Sequence, residues 1–105
     1  MAQFDVYQNP SKASRKHYPY LLDIQSPYLS EIATRIVMSL GLASSFSNEA
    51  MDMLTPEIHY EDKEFLLLTP QISSVPSNVL KKPIGSLSHF REQIINALDF
   101  AISNI

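Results

Sequence analysis

Leu87-Ser88-His89-Phe90-Arg91-Glu92-Gln93-Ile94-Ile95-Asn96-Ala97-Leu98-Asp99-Phe100-Ala101-Ile102-Ser103-Asn104-Ile105 is the stretch whose spacing decides the fold. Apolar side chains fall at Leu87, Phe90, Ile94, Leu98, Ala101 and Ile105, with Ile95 and Ile102 beside them. A 3.6-residue period places them on one face, so residues 87–105 read as an amphipathic helix whose greasy side needs a scaffold. Pro83 and Gly85 punctuate the approach, and Ser86 or Ser88 can cap an orphan amide of the first turn. The far end has no such support. No Lys or Arg follows Arg91, and Asp99 sits near the end where the helix dipole favours cations. The final residues are therefore expected to be either a short exposed prow, held by packing further back and available to a partner, or a frayed tail, as chain termini commonly are.

Outward from the helix, the scaffold reads as short strands. Gln3–Tyr7 alternates apolar and polar, and Asn9-Pro10-Ser11 breaks it. After a polar, basic segment, Tyr18–Gln25 forms a second run, in which Pro19 favours a strand start, and Ser26-Pro27 ends it. Thr34–Leu40 is β-branched and predicts a third strand, with Gly41 as a bulge or bend. Residues 43–53 are small and polar and predict a long surface loop with one helical turn. Ile58–Tyr60 and Glu64–Leu68 flank Glu61-Asp62-Lys63 and predict a hairpin, without the glycine that would fix its turn type. Gln71–Val75 predicts a further strand, interrupted by Pro76. Five or six short strands and one terminal helix make a mainly β chain, a strongly bent antiparallel sheet or small barrel with the helix laid across it. Open sheet edges invite pairing, so covering by the helix or by a second copy of the chain is expected, and a homodimer is the preferred form.

Composition narrows the function. At 105 residues, 45% hydrophobic and 18% charged, the chain fits one globular domain, residues 1–105. No run of about eighteen apolar residues exists, and Met1-Ala2-Gln3-Phe4 lacks the regions of a signal peptide, so a cytoplasmic protein without a membrane segment is expected. There are no cysteines, which removes disulfide and thiolate chemistry. A net charge of −3 argues against direct nucleic-acid binding, although Lys12, Arg15 and Lys16 gather in one predicted loop and Lys81 and Lys82 in another. His17, His59 and His89 are too far apart for a zinc pattern, and the two glycines, Gly41 and Gly85, make no phosphate loop. No metal and no cofactor are expected. Arg35, His59 and an acid such as Asp23 would supply a phosphate clamp, a base and an acid for metal-free RNA cleavage if the fold gathered them. The plainer reading leaves Arg35 and His59 as strand residues pairing on the sheet surface.

Several strings, in this order, carry a resemblance: Asp23-Ile24-Gln25-Ser26, Thr34-Arg35-Ile36-Val37, Ile58-His59, Ser74-Val75-Pro76, and Leu87-Ser88-His89 introducing the helix. Together they resemble the CcdB toxins of bacterial toxin–antitoxin operons across essentially the whole chain. The resemblance implies an SH3-like barrel of the kind shared with the MazF/Kid ribonucleases, assembled as a homodimer. It implies a poison of DNA gyrase rather than an enzyme: the dimer binds the gyrase A polypeptide and traps the complex after DNA cleavage, and a CcdA-like antitoxin with a disordered binding segment neutralises it. The family's gyrase contact at the helix end is an aromatic residue, then Gly, then Ile. The matching positions are Ser103, Asn104 and Ile105, of which Ile105 keeps the pattern. Ser103 forgoes the roughly 0.5–2 kcal/mol that a ring gains against a guanidinium. Asp99 and Ile102 on the same turns, and Leu29 after Ser26-Pro27, complete the implied gyrase surface. Lys12, Arg15 and Lys16 are the candidate antitoxin contact, since basic side chains steer an acidic disordered peptide. A MazF/Kid-like ribonuclease and a gyrase-inactive relative stay open as alternatives.

Overall fold

A computed structural model describes residues 2–29, 31–46 and 54–102. Six strands form one antiparallel sheet: β1 (Asp5–Gln8), β2 (Tyr20–Asp23), β3 (Thr34–Leu42), β4 (Glu57–Tyr60), β5 (Lys63–Pro76) and β6 (Gly85–Ser86), in the order β4-β5-β3-β2-β1-β6. The α-helix α1 (Arg91–Ile102), the one α-helix among the described residues, follows a 3-10 turn over Ser88–Phe90. The sheet is a curled half-barrel with the helix on it, as the spacing of apolar residues predicts.

Along the central strands β1, β2 and β3 both faces of the sheet are largely buried, because successive side chains of a strand point to opposite sides and here both sides have cover. Val6, Leu22 and Met38 belong to the main core with Phe65, Leu67, Leu87 and Ile94, and Phe90, Ile95 and Leu98 of the helix segment pack against it. Their strand neighbours Tyr7, Leu21 and Val37 form a second cluster under Val79 and Leu80, just beyond β5. This is why Leu21-Leu22 and Val37-Met38 read as unbroken apolar pairs rather than as an alternation.

β2 covers Tyr20–Asp23 rather than Tyr18–Gln25 and β3 extends to Leu42 rather than Leu40, and four further differences from the sequence reading have a local reason. β1 starts at Asp5 rather than Gln3 because Phe4 has a left-handed backbone (φ 72°), which an extended strand cannot continue. Residues 64–68 and 71–75 are not two strands but one, β5, which pairs with β3 along both halves. Between Val37↔Ser73 and Ser39↔Leu68 a single residue of β3 faces four of β5, and Pro70, which has no amide to donate, lies in that bulge. The bend expected at Gly41 lies there instead; Gly41 continues β3 opposite Leu66, and a side chain on it would strike the Phe46 ring. The regular helix begins at Arg91, not Leu87, since residues 88–90 wind as a 3-10 turn whose Ser88 amide donates to Ser86 Oγ at 3.2 Å.

The hairpin turn is Glu61-Asp62, both with left-handed backbone (φ 54° and 61°), so two charged residues adopt the two-residue geometry usually given to Asn-Gly. β6 has no strand signal of its own. It exists because Asp5↔Ser86 and Val6↔Gly85 pair, with Ile84 and Leu87 amides donating to Val6 and Phe4 carbonyls at 2.8 Å each. The sheet's curl brings β4 round toward β6: Tyr60 Oη lies over Gly85, where any β-carbon would collide with it. Of the predicted 43–53 loop, Ala43–Ser45 form a 3-10 turn, and residues 47–53 lie outside the described residues. Among the described residues, no helix is long and apolar enough to cross a membrane.

Candidate partner-binding surface

The end of β2 and the start of β3 meet over a buried polar cluster. Arg35 Nε and Nη2 donate to Asp23 Oδ2 at 2.9 and 2.6 Å, and the Gln25 amide donates to Asp23 Oδ1 at 3.0 Å. All three residues are 2% exposed or less. An ion pair taken out of water is tolerated only when its remaining atoms find partners, and both carboxylate oxygens are engaged. Arg35 is therefore not a surface residue, contrary to the plain reading of its strand. His59 is: its Nδ1 contacts Glu64 Oε1 directly across the β4–β5 hairpin, on exposed side chains. Arg35 neighbours Val75 at one end of β5, and His59 neighbours Glu64 near the other. Asp23 and Arg35 thus come together, but Arg35 is sealed off and His59 does not join them, so the ribonuclease constellation is not assembled.

From this cluster the chain emerges into a 3-10 turn, Pro27–Leu29, that displays large apolar side chains. Tyr28 is 95% exposed, and Leu29 and Ile32 are exposed beside it in sequence. The helix makes a second display. Ile94 and Ala97 are buried, whereas Asp99, Phe100, Ala101 and Ile102 are exposed, Ile102 at 68%. Ala101 and Ile102 thus leave the apolar face that their spacing assigns them to, since the helix's last described turn stands clear of the sheet. Ser103, Asn104 and Ile105 lie outside the described residues. Of the expected gyrase residues, then, Leu29, Asp99 and Ile102 are at the surface. Tyr28, Ile32 and Phe100 are displayed as well, and sequence reasoning missed them. Phe100 lies off the apolar stripe of the helix, which is a legible sign, and Tyr28 follows a proline that has already ended the strand.

The basic loop is ordered by Asn9, itself buried. Asn9 Nδ2 donates to Tyr18 O at 2.8 Å and to Ser14 Oγ at 3.0 Å, and its Oδ1 accepts the Ser11 amide at 3.0 Å. Arg15 Nε donates to Asn9 O at 2.8 Å, so Arg15 is half-buried and tethered, while Lys12 and Lys16 are exposed. Tyr18 and His17 lean on Phe46 with ring centroids 5.1 and 6.5 Å apart, joining this loop to the segment that follows β3.

Two tyrosines are perturbed. Burial raises the pKa of Tyr7, helped by the charges of Asp5 and Asp23 and opposed by Arg35; its hydroxyl is buried and has no hydrogen-bond partner among the described residues. Burial likewise raises Tyr60, with Glu61 and Tyr20 adding to it. Tyr60 and Tyr20 line an open cleft of about 330 Å3 with Glu61, Lys63 and Ile84. Among the described residues, no group of three or more His, Asp or Glu is placed to hold a metal ion.

The arrangement displays apolar side chains on a short turn and a helix end, and separate lysines on an ordered loop. A protein-family comparison agrees in scope, because the model for CcdB, described as CcdB protein, matches residues 3–104.

Proposed function

The chain belongs to the CcdB family, toxins of toxin–antitoxin systems rather than classical enzymes, and we propose that it acts as a homodimer that binds the A polypeptide of DNA gyrase and traps the enzyme on cleaved DNA. The observation that carries this reading is the exposure of the helix's last described turn, where Phe100 and Ile102 face solvent although the earlier part of the apolar stripe is packed. Exposed apolar side chains on a well-supported element are what a protein partner's pocket takes up. The partner surface comprises Leu29, Asp99 and Ile102, and continues through Ser103, Asn104 and Ile105. A CcdA-like antitoxin relieves the toxicity, and its acidic disordered segment is drawn to Lys12 and Lys16, with Arg15 shaping the loop beneath them. The chain works in the cytoplasm, where gyrase and its DNA are.

Expression in a bacterial host tests this directly. Growth arrest with induction of the DNA-damage response is expected, and deletion of Ser103–Ile105 should abolish it. Toxicity that survives the deletion, or arrest without DNA damage, would overturn the reading. For the antitoxin, reversing the charges of Lys12 and Lys16 should slow association and weaken its salt dependence; an unchanged rate removes these residues from the interface.

A further inference from the structure

We propose that Gln25 is a positioning residue for the partner-binding surface: it fixes the turn that displays Tyr28, Leu29 and Ile32. The proposal rests on the reading of this chain as a toxin that binds gyrase. Three observations carry it.

Gln25, two residues beyond the end of β2, is 1% exposed, and it uses both ends of its side-chain amide. Nε2 donates to Leu29 O at 2.7 Å, and Oε1 accepts the Ile36 amide at 2.9 Å. One planar group therefore ties the turn to the neighbouring strand β3. Its own amide is held by Asp23 Oδ1, whose other oxygen is held by Arg35, so the Gln25 backbone is anchored to a buried ion pair. The turn is also closed locally and at its far end. Leu29 and Ile32 amides donate to Ser26 O and Leu29 O at 2.9 and 3.3 Å, and Ser77 clamps Ala33 O with its amide at 2.8 Å and its Oγ at 3.0 Å.

Such a design has a functional cost and a functional use. Tyr28, Leu29 and Ile32 together expose more apolar surface than a solvated turn requires. Besides the closing bonds to Ser26 O and Leu29 O, the turn has an exposed contact in which Ser26 Oγ accepts the Tyr28 amide at 3.2 Å, and Gln25 supplies its buried side-chain tie. Preorganising a displayed side chain lowers the entropy lost on docking, which makes the complex tighter without any new contact. Gln25 supplies that order from inside the protein, so it acts through the turn and touches no partner itself.

The test uses the full-length protein, wild type and Gln25→Met, which keeps the side chain's size and removes both hydrogen bonds. Amide hydrogen exchange is followed residue by residue, and binding is measured to a purified fragment of gyrase A containing its dimerisation region. In the wild type, Leu29 and Ile32 amides should exchange at least roughly tenfold slower than in an unstructured chain. In Gln25→Met their protection should drop to near unity while amides of β1 and β2 keep theirs, and affinity should fall roughly tenfold, chiefly through faster dissociation. Loss of protection spread evenly over the whole sheet would make Gln25 merely structural and overturn the proposal. So would a loosened turn with unchanged affinity. Should Gln25→Met not fold, the wild-type exchange decides alone, and unprotected Leu29 and Ile32 amides would refute a fixed turn. Failure of the wild type to bind the gyrase fragment counts against the gyrase reading, and the exchange measurement still judges the role of Gln25.

Discussion

Two pairs of potentially opposite charges sit on the same sheet and differ in almost every physical respect. At the β2–β3 end, Asp23 and Arg35 are sealed from water, with both carboxylate oxygens engaged. At the β4–β5 hairpin, His59 and Glu64 face each other across the ladder on side chains 61% and 48% exposed, a contact that is an ion pair only when the ring is protonated. The chemistry is similar and the surroundings are not. Water and salt weaken the outer pair to little more than a surface preference, whereas the inner one is costly to break because the survivor would be a lone buried charge. The two ends of the sheet serve different ends accordingly. The sealed end carries the displayed turn, and the open end carries the tip of the β4–β5 hairpin.

Substitution of the sealed pair is the most severe way to test the contrast. Arg35→Ala should cost about 3–5 kcal/mol in chemical denaturation, since Asp23 is left charged and unpaired in the interior. A loss below about 1 kcal/mol would mean that water reaches Asp23 and that the two ends are not so different. At the hairpin, replacing Glu61-Asp62 by Asn-Gly relieves two left-handed backbones that ordinary residues adopt reluctantly, and should raise stability by about 1 kcal/mol. His59→Ala should change stability by less than about 1 kcal/mol, and the small effect should vanish in high salt. A large, salt-insensitive loss there would erase the distinction between the two pairs.

The smallest expected effect concerns Tyr7, on the same face as the sealed pair. Its folded pKa lies above its unfolded value near 10. The neutral phenol is thus the form that folding favours, and its contribution is fully present below the unfolded pKa and lost as pH rises through the folded one. Alkaline titration should therefore destabilise the protein, with Tyr60 contributing in the same direction. Tyr7→Phe removes a hydroxyl that has no partner among the described residues, so it should be neutral or slightly stabilising at pH 7 and should blunt the alkaline loss. A marked destabilisation at pH 7 would reveal a hydrogen bond to the Tyr7 hydroxyl.

Much of the architecture is legible because it is written in local periodicity. Ile94, Ile95 and Leu98 recur at helical spacing, and Ile58–Tyr60 and Glu64–Leu68 flank a charged turn. What stays hidden depends on partners distant in the chain. Residues 64–68 and 71–75 read as two strands, but β3 runs alongside both halves, so the stretch between them is a bulge within one strand. Gly85-Ser86 has no strand character and becomes a strand through β1. At the candidate surface, Leu29, Asp99 and Ile102 come from family resemblance. Tyr28, beside Leu29, carries no such mark, because an aromatic in a short turn reads equally well as a buried plug or as an exposed contact.

The order of the side chains by itself determined that the chain is mainly β with one amphipathic helix, because these follow from spacing along single segments, and the order of several strings along the chain carried the family resemblance. Tertiary structure alone decided that Arg35 is interior while His59 is outside, and that Gln25 reaches the turn at Leu29. Arg35, His59 and Gln25 are all strand or near-strand polar side chains with nothing in their immediate neighbours to tell them apart. Their fates differ because burial depends on what the curled sheet, the helix and the segment around Leu80 lay over each position, and no local stretch contains that information.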